Sequence, residues 1–282
     1  MNWYENRLLN KAFLQTTDWF VAWRRVGDEN YNLVENPHGF WLADSIVYED
    51  DDGAWLFVEA FDVKEGYGKL AVLPFDDGAF GDFELILDSG SHLSYPFVFN
   101  HGGKRYMIPE SSAAAEMALY VADDFPFGWR KLATLLEGPY VDTSVYGDAA
   151  GRVWGCSYHV EAREFIRFTL DMDSFALTVE KRTYDSDGLL RPGGRVFREN
   201  AELFFPTQNN RYFYGQSLLL RDLSSERVVR EILPADVKTA DGRAFRRLHT
   251  YSRTASFEAV DLSDYRLSPA KPLKRIVQKV RR

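Results

Sequence analysis

The sequence predicts an all-β fold: a five-bladed β-propeller with short helical extensions at its N- and C-termini. One observation is the recurrence, at intervals of roughly 50 residues, of a strand, a polar turn and an aromatic strand, a period at which repeats build propellers or solenoids. Another is the turns themselves, which are rich in Asp, Asn and Gly and join each pair of strands as a hairpin. A hairpin alone leaves one apolar face bare, so the copies must stack, and a closed ring of blades does this most economically.

The copies follow one another along the chain. Ser45-Ile46-Val47-Tyr48 passes through Asp50-Asp51-Asp52-Gly53 into Trp55-Leu56-Phe57-Val58-Glu59. Pro96-Phe97-Val98-Phe99 turns at His101-Gly102-Gly103 into Arg105-Tyr106-Met107-Ile108-Pro109-Glu110. Thr143-Ser144-Val145-Tyr146 turns at residues 148–151 into Val153-Trp154-Gly155-Cys156-Ser157. Gly194-Arg195-Val196-Phe197 turns at Arg198-Glu199-Asn200 into Leu203-Phe204-Phe205-Pro206-Thr207-Gln208, and a weaker fifth copy spans residues 248–260. Residues 68–74, 117–122 and 165–170 supply third strands. One domain results, with blades at about 40–90, 91–139, 140–188, 189–235 and 236–267 and a closing strand at 18–27. Residues 3–14 read as a short helix, and residues 123–129, with their Phe-Pro-x-Gly-Trp order, as an aromatic plug.

Composition narrows the function classes. The 21 Phe, 15 Tyr and 7 Trp suit strands and also sugar-stacking surfaces. A net charge of −8 argues against a nucleic-acid surface. Positive charge gathers at residues 271–275 and 279–282, where a basic apolar tail is either a solvated terminal helix or a contact for an anionic membrane or a partner. The single cysteine, Cys156, precludes an internal disulfide and reads as a core residue. There is no apolar core of signal-peptide type and no run of ~20 apolar residues, so a cytoplasmic location is expected. No Gly-rich phosphate loop follows a strand, and the triple Asp at 50–52 reads as a solvated turn rather than a metal site. No cofactor or metal is expected.

In a closed ring the innermost strands point along one axis, so residues at equivalent strand ends meet at one mouth. At the start of the first strand in successive copies stand Asp44, Tyr95, Asp142, Arg191 with Arg195, and His249. Near the end of the second strand in the first two copies stand Glu59 and Glu110. Polar side chains at such positions are costly to bury without partners, so their recurrence at one phase marks a candidate site. Carboxyl groups over an aromatic pocket suit glycosyl chemistry, where one protonates the leaving oxygen and another acts as base or nucleophile. Asp44, Glu110 and Asp142 are the catalytic candidates. Arg191 and Arg195 could hold a carboxylate or phosphate by paired donors, while His92, Tyr95 and His249 supply hydrogen bonds or stacking. The bland alternative makes Asp44 and Asp142 turn caps and pairs Glu59 and Glu110 with the arginines as structural salt bridges.

Several of these stretches resemble known families. Ala43-Asp44, Gly53 and Phe57-Val58-Glu59 resemble the first-blade motif of five-bladed propeller glycosidases related to families 43 and 130. His92-Leu93-Ser94-Tyr95-Pro96-Phe97-Val98-Phe99 with Tyr106-Met107-Ile108-Pro109-Glu110-Ser111 is similar to the signature of a propeller family that includes the N-terminal domain of plant glucosamine inositolphosphorylceramide transferase and many bacterial proteins linked to surface-polysaccharide synthesis. The likeness continues through Leu119-Tyr120, Phe125-Pro126-Phe127-Gly128-Trp129, Val141-Asp142, Arg191-Pro192-Gly193-Gly194-Arg195, and Gln208 with Tyr214-Gly215. It implies a carbohydrate-facing central pocket to which Gln208 and Tyr214 contribute as substrate-binding residues. By likeness to family 43, Asp44 matches the base and Asp142 falls near the acid position, occupied there by Glu, while Tyr95 replaces the Asp that tunes the acid.

These readings together lead to a carbohydrate-active protein of surface-polysaccharide or glycoconjugate biosynthesis, foremost a glycosyltransferase binding a sugar or sugar nucleotide. A family-43-like hydrolase and a non-catalytic glycan-binding propeller are the alternatives.

Overall fold

The computed structural model describes residues 14–148 and 150–267, nearly all of them in strands and connecting turns. The expected terminal helices and the basic tail lie outside the described residues, except that Leu14, the last residue of the expected N-terminal helix, instead begins a strand. Five antiparallel sheets follow one another in chain order. The first blade comprises β3 (Phe40–Asp50), β4 (Gly53–Asp62) and β5 (Tyr67–Asp76), with β6 (Ala79–Phe80) and β7 (Glu84–Leu87) on its outer edge. The second runs β8 (Ser94–His101), β9 (Lys104–Glu110), β10 (Glu116–Asp124), β11 (Phe127–Glu137). The third runs β12 (Tyr140–Gly147), β13 (Val153–His159), β14 (Glu164–Leu170), β15 (Leu177–Tyr184). The fourth runs β16 (Phe197–Glu199), β17 (Glu202–Asn209), β18 (Ser217–Asp222), β19 (Val228–Ile232). The fifth closes the ring: β20 (Arg247–Arg253) and β21 (Phe257–Leu267) are completed by β1 (Leu14–Arg25) and β2 (Asn32–Leu33) from the other end of the chain. The β1–β21 ladder ties the two ends together over most of both strands.

Each strand alternates its side chains between two neighbouring blades, so both faces of a blade are apolar and the core divides into five clusters, one at each blade junction. Leu42, Leu56 and Val58 meet Val21 and Phe257 between the fifth and first blades. Phe57, Leu70 and Val72 meet Val98 and Met107 between the first and second. Phe97, Ile108 and Leu119 meet Val145 and Phe168 at the next junction, Cys156 and Phe165 meet Phe205 at the one after, and Phe204 and Leu220 meet Leu248 and Tyr251 at the last. Cys156 is thus a buried core residue. Phe125 of the predicted plug packs against Tyr48, Trp55 and Phe57 across the first junction.

One irregularity repeats around the axis and positions the site. The ladder between the first two strands of a blade shifts register at Ala43/Ile46, Ser94/Phe97, Val141/Ser144 and Leu248/Tyr251. These β-bulges turn the chain at equivalent points and re-aim the bulged side chains. In the first three blades the bulged residue has a left-handed backbone: φ is 50° at Asp44, 46° at Tyr95 and 52° at Asp142. That conformation costs about 1–3 kcal/mol for a residue other than glycine and clusters at functional sites. The fourth blade uses Gly193-Gly194 instead. A Cβ on Gly194 would sit 1.7 Å from the Tyr251 carbonyl oxygen, and Tyr251 N–H donates to Gly193 O at 2.7 Å. This close approach explains why β16 begins only at Phe197 rather than at Gly194 as the repeat suggests.

Candidate active site

At the mouth formed by the bulges, His249 lies between two carboxylates. Its Nε2 is 2.9 Å from Asp44 Oδ1 and its Nδ1 is 2.8 Å from Asp261 Oδ2. Asp261 also accepts the backbone N–H groups of Asp44 at 3.0 Å, His249 at 3.1 Å and Thr250 at 2.9 Å, fastening the fifth-blade bulge to the first. Burial disfavours an imidazolium here, but Asp261 and Asp44 together outweigh it and push His249 up to about 10. Reciprocally, burial opposes ionisation of Asp44, yet His249, Arg191 and the Thr250 hydroxyl hold its carboxyl below the usual range. The His249 and Thr250 contacts fall on Oδ1; among the described residues Asp44 Oδ2 accepts no hydrogen bond.

A second cluster faces the first. The guanidinium of Arg191 forks onto Asp142, with Nε on Oδ2 and Nη2 3.2 Å from Oδ1, and Nη2 also lies 3.6 Å from Glu110 Oε2. Gln208 Nε2 donates to Asp142 Oδ2 at 2.7 Å and to Pro192 O at 2.8 Å. Both oxygens of Asp142 are therefore occupied, so it anchors Arg191 rather than presenting a free base. Gln208 is fully buried, so it positions Asp142 and does not meet a ligand directly. Among the described residues, Glu110 in contrast receives only the Ser112 hydroxyl at 2.8 Å besides the long Arg191 contact. Burial and the neighbouring Asp142 carry Glu110 up to about 8 against the pull of Arg191, so it is mostly protonated at neutral pH.

Aromatic rings cover this arrangement. Trp19 lies 4.2 Å and Tyr214 4.9 Å from the His249 ring, centroid to centroid, and Tyr214 is 38% exposed, giving the mouth its outer wall. Arg247 donates twice to the Tyr214 carbonyl, at 2.8 and 2.5 Å, and spans both rings.

Two expected contacts are placed elsewhere. Tyr95 has no exposed atom, and its hydroxyl is shared with Ser144 Oγ at 2.8 Å beneath the mouth. Arg195 does not join Arg191: its guanidinium donates to the carbonyls of Val47, at 3.2 Å, and Val98, and lies 4.8 Å from the Phe97 ring. Val47 is three residues past Asp44, roughly 10 Å along a strand, so the two arginines cannot clamp one phosphate. Asp261, Trp19 and Arg247 were not anticipated. Asp261 occupies the position opposite the bulge where the first three blades carry Val58, Pro109 and Ser157, so it has no counterpart in the repeat.

The profile of the family formed by the N-terminal domain of glucosamine inositolphosphorylceramide transferase 1 matches residues 9–228. The chain belongs to this family. Glucosamine inositolphosphorylceramide transferase 1 from Oryza sativa subsp. indica is 30% identical over 201 residues, covering 65% of this chain and 26% of the rice protein. The Arabidopsis thaliana protein of that name is 37% identical over 111 residues, covering 39% of this chain and 14% of its own. The chain thus spans about a quarter or less of the curated relatives it matches. Among solved structures, a GH43_1 enzyme from Xanthomonas citri complexed with xylotriose aligns with a TM-score of 0.61 at 10% identity, covering 84% of this chain and 88% of that one. CoXyl43, a GH43 β-xylosidase/α-arabinofuranosidase from a compost metagenome, aligns with a TM-score of 0.58 at 10% identity, covering 86% and 95%. These two share the propeller fold with the family.

In this member of the family, one group of side chains has the spacing of a cation site. Ligand atoms of Asp44, His249 and Asp261 lie within 4.8 Å of one another. Both imidazole nitrogens face carboxylates, however, so a protonated His249 already supplies the positive charge there, and a metal would have to displace that proton.

Proposed function

We propose that the axial mouth makes or breaks glycosidic bonds in glycoconjugate synthesis, with a sugar hydroxyl or water as acceptor. What supports this reading is two carboxyl groups at the mouth in unlike surroundings: the His249 imidazole at 2.9 Å holds Asp44 below the usual carboxyl range, while burial and Asp142 raise Glu110 to about 8. Groups whose environments push their pKa values apart are how one site supplies both an acid and a base. Glu110 gives its proton to the departing glycosidic oxygen as the bond to the anomeric carbon breaks. Asp44 Oδ2 either takes the proton of the incoming hydroxyl or attacks the anomeric carbon itself, according to the carboxyl separation. Tyr214 supplies an apolar wall for the ring, and Asp142 with Gln208 fixes Arg191 beside Glu110. The arginine geometry favours neutral glycosides over phosphate donors, because both guanidiniums are already engaged. The name of the relatives, glucosamine inositolphosphorylceramide transferase 1, supports transfer.

The test is turnover of aryl glycosides, with and without sugar acceptors, by the wild type, Asp44→Asn and Glu110→Gln. Loss of turnover by about 10²-fold or more with ligand binding retained supports the reading. Binding without turnover by any of the three sinks it in favour of a recognition propeller.

A further inference from the structure

Beside the mouth, at the junction of the first and second blades, stands a buried carboxyl that the chemistry above does not use. Glu59 is 5% exposed, and its side chain makes no hydrogen bond among the described residues, with Oε1 left unpartnered. A buried polar group left unsatisfied is costly and calls for an explanation. The space around it is built. A Cβ on Gly68 would lie 2.4 Å from Glu59 Oε1 and 2.5 Å from the Leu93 carbonyl oxygen, so only glycine fits. Gly68 N–H donates to His92 Nδ1 at 2.9 Å, which fixes the proton of the neutral ring on Nε2, and Nε2 lies 3.7 Å from Glu59 Oε1. That gap is too long for a hydrogen bond but lets both groups converge on one ligand atom. Two residues further along β4, on the same face, Phe61 stacks on its register partner Trp41 at 4.4 Å and 7°, and it lies 6.5 Å from the His92 ring. Both rings are half-exposed.

We propose that Glu59, His92 and the Trp41–Phe61 stack form a second sugar subsite, which holds the unit linked to the one over Asp44 and Glu110. A hydroxyl accepts from His92 Nε2–H and also exchanges a hydrogen bond with the Glu59 carboxyl, whereas an ammonium has no acceptor for the imidazole N–H, and the partly exposed aromatic stack suits a pyranose ring. The substrate class is therefore a di- or oligosaccharide, or a glycoside with two sugars in series. Burial, with Asp44 and Glu110 adding to it, keeps Glu59 well above the usual carboxyl range, in keeping with a neutral, hydroxyl-directed role.

The subsite rests on the reading of the mouth as a sugar site, and calorimetry separates the two. Wild type, Glu59→Gln and Trp41→Ala are titrated with glucosamine, N-acetylglucosamine and xylose and with the corresponding di- and trisaccharides, each variant being checked by thermal melting. Glu59→Gln is isosteric with the protonated acid and keeps the fold. At least one disaccharide binds wild type about tenfold or more tighter than its monosaccharide, and both variants lose that increment while monosaccharide affinity stays within about twofold. Equal affinity for mono- and disaccharides, or no saccharide binding, overturns the subsite. So does an equal loss for both ligand lengths. If the variants lose the increment while no turnover is ever seen, the subsite stands and the proposed chemistry fails. If Glu110→Gln abolishes turnover while the increment survives Glu59→Gln, the chemistry stands and the subsite fails.

Discussion

His249 Nε2 and Asp44 Oδ1 meet at 2.9 Å across the seam where the last blade closes on the first, joining residues 205 positions apart in the chain. The contact forms where the fifth sheet, completed by β1, meets the first blade, and Asp44 Oδ2 accepts no hydrogen bond among the described residues. Replacing His249 by Gln strips the shared positive charge from two buried carboxylates. Breaking such a buried pair costs about 3–5 kcal/mol, and chemical denaturation of His249→Gln at pH 7 should show a loss of that order. The imidazole's own contribution is complete below pH 6.5 and fades as pH rises through about 10, so the gap between wild type and variant narrows at alkaline pH.

Glu110 makes a prediction of the same sense in a lower pH window. Its folded-state value of about 8 exceeds the ordinary 4.5, so the folded chain holds a proton that the unfolded chain has lost between those pH values. Its stabilising effect is full below pH 4.5 and disappears as pH climbs through 8. Glu110→Gln should match wild type in Tm at pH 4–5 and exceed it at pH 9 by at least about 2–4 °C, the shift that one kcal/mol gives in a domain of this size. Turnover should fall tenfold per unit above pH 8 in the wild type.

Arg191 tunes that limb. Its positive charge draws the Glu110 pKa down, against burial and Asp142. Arg191→Gln should therefore move the alkaline limb of kcat/KM to higher pH. An unmoved limb accompanied only by a higher KM would assign Arg191 to ligand binding instead.

The fourth-blade glycine is a packing test independent of chemistry. At φ 143° and with the Tyr251 carbonyl where a Cβ would go, Gly194→Ala must push two blades apart. Overpacking of this kind costs about 1–3 kcal/mol or more, whereas alanine at Gly102, whose Cβ meets nothing within 4 Å, pays mainly for its φ of 57° and should lose less. Thermal melts of the two variants decide it.

The hairpin recurrence made the ring and the phase of Asp44, Asp142 and His249 legible, because a bulge at one point of each blade keeps equivalent residues at equivalent depth. It misjudged residues whose direction depends on local backbone. Arg191 and Arg195 look like a pair in sequence, but the Gly193-Gly194 step against Tyr251 sends them to different levels of the channel. Tyr95 shares the bulge of its neighbours, yet its length carries the hydroxyl through to Ser144. Asp261 was invisible for the opposite reason: it answers a need for three bulge N–H groups that only the assembled seam creates.

The most direct measurement is the ionisation of Glu110 itself, followed by pH titration of ¹³C-carboxyl-labelled glutamate in the intact chain and assigned by subtraction of Glu110→Gln. A midpoint near 8 is predicted, with Asp44 remaining charged throughout. A midpoint close to 4.5 would leave Asp44 and Glu110 both ionised at neutral pH, contradicting the acid–base pair.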